Sequence, residues 1–379
     1  MRVLIYGAGQ LARMMALSAV PMGIEVQAVD VGSETVVDPI SKLPAGMSLS
    51  QAIEEADVLS VEFEHVPEHL LEQAHVSGKL KPGIEAILTG ADRVREKRLL
   101  ERLGIANCAH RIVTDVEQLE EAVAALGERL ILKASRDGYD GYGQWRLAQA
   151  ADLAGLKTAL AELDLNKVPL VVEQMADFSR ELSLVGVRDA KGRCQFYPLA
   201  ENLHYQGQLH VSLAPAPGIT EALTTQAQQA FTALATELDY VGVLAVEFFQ
   251  VDDRLLVNEI APRVHNSGHW SMQGADTSQF ENHIRAICGL PLGCTAALRP
   301  SAMINIIGCK EFSQQLLSIP ECHLHWYGKS VRKKRKMGHI NVSAESYAAL
   351  GARLEKLSGY LPMEHFPKLV AEAQRLQSL

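Results

Sequence analysis

The stretch VGVLAVEFFQVDDRLLVNEIA, residues 241–261, narrows the possible folds more than any other part of the chain. Two apolar runs rich in Val, Leu and Phe flank an acidic turn, a pattern that reads as a long antiparallel hairpin. With Asp252–Arg254 as a three-residue turn, Val251 faces Leu255, and counting outward sets Glu247 opposite Glu259. Directly opposed residues on neighbouring strands have Cβ atoms about 5 Å apart. Two carboxylates that close, among Ala245, Phe249 and Val257, repel unless a cation joins them or the register slips and both turn to water. Hard oxygen ligands beside phosphates suit Mg2+. After Glu259 the chain turns abruptly polar in NEIAPRVHNSGHW, where Arg263, His265, Asn266 and His269 share one loop. That loop is either solvated or one wall of a reactive site.

At 379 residues the chain exceeds one ordinary core, so two or three domains are expected. A formal charge of -9 argues against general nucleic-acid binding. The apolar fraction of 47% and charged fraction of 21% fit a globular protein. Cys108, Cys194, Cys288, Cys294, Cys309 and Cys322 are scattered without a CxxC pair, which reads as reduced, mostly buried thiols. Arg13 interrupts the apolar opening run, and no segment reaches the roughly 18 apolar residues that span a bilayer. A cytoplasmic protein is expected.

Residues 2–30 read as strand, glycine turn, helix and strand, with Asp30 closing the second strand. GAGQLA, with Gly7, Gly9 and Ala12, approximates a dinucleotide fingerprint, in which glycines admit a phosphate to a helix N-terminus. Many α/β sheets open on a glycine turn without one, and a different ligand near Gln10 and Leu11 fits equally. SVEFEHVP ends a later strand in Glu62 and Glu64, and ILTGADRVREKRLLERLG reads as a strand end followed by a helix capped by Asp92 and closed by Gly104. The first boundary falls near Thr89.

Lys133 ends the strand RLILKAS, and DGYDGYGQ leads into another strand, whereas a Walker loop leads into a helix. Gly138, Gly141 and Gly143 permit close backbone approach to phosphates, and Lys133 supplies a point charge. An ordinary glycine hairpin with a solvated lysine is the alternative. In VVEQMADFSRE an apolar strand ends at Glu173, whose backbone can meet a base edge, and Glu181 can bind ribose hydroxyls. Surface glutamates after strands are common, so neither is specific alone. KSVRKKRK packs six Lys/Arg between Lys329 and Lys336, as a solvated hairpin loop or as a holder for one phosphate monoester.

Lysine on a strand, a glycine cover, a nucleotide-reading strand and two opposed glutamates follow one another in an order that resembles the ATP-grasp superfamily. GAGQLARMM, VEFEHVP, KASRDGYDGYGQW, VEQ, ENLH, NEIAPRVHNSGHW and HWYGKSVRKKRKMGH together are similar to the 5-(carboxyamino)imidazole ribonucleotide synthetase family of purine biosynthesis, over about residues 3 to 342. The resemblance implies an α/β ATP-grasp fold. A Rossmann-like parallel-sheet domain would span 1–89, the ATP-grasp region 90–300 with a lid at about 105–180, and a small β-rich domain 301–379. ATP would be held by Arg93, Lys133, the loop Gly138, Tyr139, Asp140, Gly141, Tyr142, Gly143 and Gln144, then Glu173, Gln174, Met175, Ala176, Glu181, His204, Asn258 and Glu259. Mg2+, as two ions, would sit on Glu247 and Glu259.

Tyr139, Asp140, Arg263 and His265 would surround the reacting groups as catalytic residues. Lys329, Arg335 and Lys336 would take the ribonucleotide phosphate, with Gln10, Leu11, Glu62 and Glu64 lining the rest of that pocket. The implied reaction joins bicarbonate, activated by ATP as carboxyphosphate, to the exocyclic amine of aminoimidazole ribonucleotide, and the implied assembly is a homodimer. The chain departs from the family pattern at Ala12, where Gly is usual. Tyr142 replaces a cation, and RKKRK stands where RPGRK is usual. An ATP-grasp ligase using formate or an amino acid, a nucleotide sensor without turnover (which Tyr142 motivates) and a dehydrogenase are the competing readings.

Overall fold

The structure is a computed structural model describing residues 1–136 and 143–379. It opens on a four-stranded sheet of β1 (Arg2–Tyr6), β2 (Glu25–Asp30), β3 (Thr35–Val37) and β4 (Val58–Val61), in the order β3-β2-β1-β4. β1 runs parallel to β2 and β4, and only β3 is antiparallel. Val3, Leu4, Ile5 and Tyr6 are all buried, as a strand covered on both faces requires. The segment read as a strand end, ILTG, is instead part of the helix Ile84–Ala91. Its Ala86 and Ile87 lie on a buried face, which a short apolar run cannot distinguish from a strand by composition. Asp92 then caps the helix Arg93–Arg102, its carboxylate accepting from the Val94 amide at 2.8 Å. Such a cap is worth about 1 kcal/mol.

A second, antiparallel sheet holds β5 (His110–Val113), β6 (Leu130–Ala134), β7 (Gln144–Leu147) and β8 (Leu170–Gln174), in the order β5-β8-β6-β7. Helices Gln118–Leu126 and Leu153–Leu160 cover one face through Leu119, Leu126 and Leu160. This is the lid.

The third sheet has nine strands: β9 (Arg180–Arg188), β10 (Cys194–Phe196), β11 (Ala200–Tyr205), β12 (Gln208–Ala214), β13 (Gly242–Val251), β14 (Arg254–Ala261), β15 (Ser301–Ile307), β16 (Cys322–Trp326) and β17 (Lys336–Ser343). Their order is β14-β13-β9-β11-β12-β15-β17-β16, with β10 added on β9. The C-terminal strands therefore extend the central sheet, through Val211 opposite Ile304. Helix Glu221–Glu237 packs on one face of the β13 region, and helix Gln279–Ile287 on the other. The basic run lies, as read from sequence, between two paired strands.

The hairpin reaches the expected register by a different route. Val251 pairs with Arg254, so only Asp252 and Asp253 form the turn, with Asp252 at φ 52°. A regular ladder from that shorter turn would set Glu247 opposite Asn258. A β-bulge intervenes between Phe248–Val257 and Glu247–Glu259, leaving Asn258 as the extra residue. The bulge restores the two glutamates to direct opposition.

Cys108, Cys288, Cys309 and Cys322 are buried thiols, while Cys194 is half-buried and Cys294 exposed. Among the described residues, no helix is long and apolar enough to cross a membrane.

Candidate active site

A cavity of about 1230 Å³ opens between the lid, the β13–β14 hairpin and the ends of β1 and β4. Helix Arg93–Arg102 sets its geometry, because residues three and four apart share a helix face. The Arg93 guanidinium reaches Glu259 at 3.2 Å, the Glu96 carboxylate accepts from the Ile260 amide at 3.0 Å, and the Lys97 ammonium lies 3.0 Å from Glu173. Lys133 donates to the other Glu173 oxygen at 2.9 Å and to the Asn258 side-chain carbonyl at 3.1 Å. Burial disfavours the Glu173 charge, but Lys133 and Lys97 outweigh it and bring the carboxyl down to about 2. Removing one partner from such a buried pair costs about 3–5 kcal/mol. Burial dominates at Glu96, pushing it up to about 7 against the pull of Lys97 and Arg93.

Glu247 and Glu259 face one another across the hairpin and are treated differently by their surroundings. Burial, then the Glu259 charge, pushes Glu247 upward. Burial also opposes ionisation of Glu259, but Arg93 and Lys133 outweigh it and hold that carboxyl low. The pair offers hard oxygens that fit Mg2+, and the repulsion expressed at Glu247 is what a cation would relieve. Among the described residues no cluster of three or more His, Cys, Asp or Glu encloses a metal.

His265 stands 3.6 Å from Glu247 through Nε2. Its Nδ1 accepts from the Ser267 amide at 3.3 Å and lies 2.9 Å from Ser267 Oγ, which in turn accepts from Ser183 Oγ at 2.8 Å. These partners place the proton on Nε2, facing Glu247. Burial, reinforced by Arg263, keeps this imidazole neutral, well below its usual range. Glu181 and His204 form a pair at 2.9 Å. Burial lowers the His204 pKa, yet Glu181 more than compensates and raises it overall. Arg263 is bound to Glu64 at 2.8 Å. Gly90 makes room for this loop, since a Cβ there would meet Pro262 at 2.4 Å.

The glycine turn is built around a carboxylate belonging to the protein. Glu62 accepts from the Gly9 amide and, at 3.0 Å, from the Leu11 amide. Added Cβ atoms on Gly7 and Gly9 would strike its side chain. The dinucleotide-like reading of GAGQLA is corrected accordingly: Glu62 occupies the amides that a phosphate would need. Gln10 lines the cavity and receives the Lys329 ammonium, which also lies 5.6 Å above the Tyr327 ring. Burial lowers Lys329 to about 8. Lys336 lines the cavity, whereas Arg335 binds Ser330 within its own loop, at 2.8 Å to the hydroxyl. Gln144, Gln174, Met175 and Ala176 line the cavity, and Gly143 precedes Gln144 in the left-handed region at φ 65°. Gly138, Tyr139, Asp140, Gly141 and Tyr142 lie outside the described residues.

Several site residues have no counterpart in the sequence reading. Lys97 and Glu96 are read only as part of a capped helix in VREKRLLER, although Arg93, Glu96, Lys97 and Leu100 recur at the spacing of one helix face. Phe178 stacks on Phe249 at 4.5 Å, and both line the cavity. Only tertiary structure brings those rings together.

Three family models match successive parts of the chain: a ribonucleotide synthetase preATP-grasp domain over residues 1–89, an ATP-grasp domain over 98–280 and a phosphoribosylaminoimidazole carboxylase C-terminal domain over 301–353. The N5-carboxyaminoimidazole ribonucleotide synthase of Vibrio cholerae serotype O1 is 50% identical over 380 residues, covering 100% of both chains. The crystal structure of N5-carboxyaminoimidazole ribonucleotide synthetase from Thermus thermophilus superposes with a TM-score of 0.84 at 40% identity, over 95% of this chain and 99% of that one. An Aspergillus clavatus N5-carboxyaminoimidazole synthase, solved with ADP and 5-aminoimidazole ribonucleotide, gives a TM-score of 0.83 at 30% identity, over 94% and 97%.

Proposed function

The chain belongs to the N5-carboxyaminoimidazole ribonucleotide synthase family of ATP-grasp ligases, and from that premise we infer how its own residues carry out ATP-dependent carboxylation of 5-aminoimidazole ribonucleotide. The observation that carries the reading is the hairpin wall: opposed Glu247 and Glu259, with Arg93 and Lys133 beside them and Arg263 and His265 following in the same loop. ATP lies between lid and hairpin. Glu173 to Ala176 meets the base, Glu181 with His204 the ribose side, and Lys133 and Arg93 the phosphates. Glu247 and Glu259 would hold Mg2+, which supplies charge neutralisation at the phosphate oxygens.

In the first step a bicarbonate oxygen attacks the γ-phosphorus, the bond to the β-phosphate oxygen breaks, and ADP leaves. The carboxyphosphate that remains, or carbon dioxide released from it, then supplies the carboxyl. The exocyclic amine nitrogen bonds to the carboxyl carbon, phosphate departs and the amine gives up a proton. Arg263, held by Glu64, and neutral His265 face these events. Their share is positioning, electrostatic stabilisation and exclusion of water from a labile intermediate. Lys336 and Lys329 orient the ribonucleotide phosphate, with Arg335 recruited from its loop. Tyr139 and Asp140 would complete the shell from the glycine cover. Segments 1–89, 90–300 and 301–379 serve as acceptor-side, nucleotide and phosphate-side units.

The deciding experiment is ADP release by the purified protein with Mg-ATP, bicarbonate and aminoimidazole ribonucleotide. Release that requires both bicarbonate and the ribonucleotide is expected. Release that requires formate instead would assign the chain to another ATP-grasp reaction. A homodimeric assembly and a cytoplasmic location complete the proposal; light scattering at the mass of one 41.4 kDa chain would remove the former.

A further inference from the structure

Glu173 is served by two buried ammonium groups where one would suffice. Lys97 and Lys133 lie 3.0 and 2.9 Å from its two oxygens, and the Lys97, Lys133 and Glu173 side chains are 1%, 6% and 2% exposed. The two lysines differ in what else they can reach. Lys133 lines the cavity and is already shared with Asn258, whereas Lys97 stands behind the cavity wall and meets Glu173 from that side. Glu173 itself is pinned. Its backbone pairs with His110 on β5 and Ile131 on β6, in the middle of the lid sheet, so its carboxylate cannot follow a departing partner far. A buried carboxylate left without any cation is strongly unfavourable.

We propose, on the basis of the ATP site assigned above, that Lys97 is a positioning residue that keeps Glu173 paired while Lys133 exchanges Glu173 for the phosphates of a bound nucleotide. Without Lys97 the Lys133 ammonium is held by the carboxylate, and phosphate binding must break the last ion pair of a buried charge. Lys97 thus sets phosphate affinity without touching phosphate.

The test is equilibrium dialysis of the full chain with two probes, Mg-ADP and adenosine. In Lys97→Met, affinity for ADP falls on the order of 10- to 100-fold while adenosine binds as in the parent protein. Lys97→Arg, which keeps the charge, retains ADP binding. Equal losses for both probes, or no loss of ADP affinity, overturn the proposal. Should Lys97→Met fail to fold, Glu173→Gln is compared with the Lys97→Met, Glu173→Gln double variant. With no carboxylate left to balance, the ADP-to-adenosine affinity ratio is the same in both, and a lower ratio in the double variant overturns the proposal. Because binding alone is read, a chain that shows this pattern yet releases no ADP with bicarbonate and ribonucleotide loses the assigned reaction and keeps the exchange.

Discussion

Glu247 and Glu259 carry the same functional group on facing strands, yet their surroundings push the two carboxyls in opposite directions. Arg93 bonds to Glu259, whereas Glu247 has a neutral imidazole 3.6 Å away, and the charges of His204 and Lys336 do not offset its burial. On the proposed function, an added cation would therefore matter most at Glu247. Replacing it by Gln preserves volume and removes the charge, so ADP release should fall by roughly 100-fold or more while the fold, read by circular dichroism, stays intact. Near-normal turnover would remove Glu247 from the site. Both glutamates were legible because their neighbours were apolar and their spacing matched a hairpin. Lys97 was not legible: a lysine among VREKRLLER has the composition of a solvated helix, and only its 3.0 Å approach to Glu173 on a distant strand shows its burial.

Elements impose constraints that no single residue reveals. The bulge at Asn258 corrects a turn one residue shorter than the charge pattern suggests, so the register of the glutamates is right for an incomplete reason. The helix Ile84–Ala91 reads as a strand end in sequence because four letters carry no period. Glu62 was legible as a carboxylate after a strand, but its seat on the Gly9 and Leu11 amides depends on how β4 packs beside β1. Helix Gln279–Ile287 is tied to two sheets by buried His283, which accepts from the Val243 amide at 3.1 Å and meets Ser60 Oγ at 3.1 Å.

Burial brings the His283 imidazole down to about 4. Unfolded, it titrates near 6.5. Between those values the unfolded chain binds more protons, so stability declines as pH falls from about 6.5 to about 4, by roughly 3 kcal/mol from this group. In His283→Gln that part of the acid sensitivity should vanish, seen as a smaller change in urea midpoint between pH 7 and pH 4.5. An unchanged slope would show that the imidazole titrates normally. Gly242 beside it has φ 127°, and a Cβ there would lie 3.0 Å from the His283 ring. Gly242→Ala should therefore lower stability by roughly 2 kcal/mol in the same unfolding experiment.

At the scale of the whole molecule, one sheet joins the hairpin strands β13 and β14 to the strands flanking the basic loop. β12 pairs with β15, and β15 with β17, so Lys336 enters the same cavity as Glu247 and Lys133. The resemblance implied a small β-rich tail, but the joining of its strands to the central sheet was not legible, because edge pairing between distant strands leaves no local signature. The lid, hairpin and N-terminal sheet each supply part of the cavity wall, so on the proposed function the reaction needs all three in place. Its most direct test measures initial ADP release with Mg-ATP while bicarbonate and aminoimidazole ribonucleotide are each withheld in turn. Release that demands both is the expected result; release at the same rate without the ribonucleotide, or none with both present, would contradict the assignment.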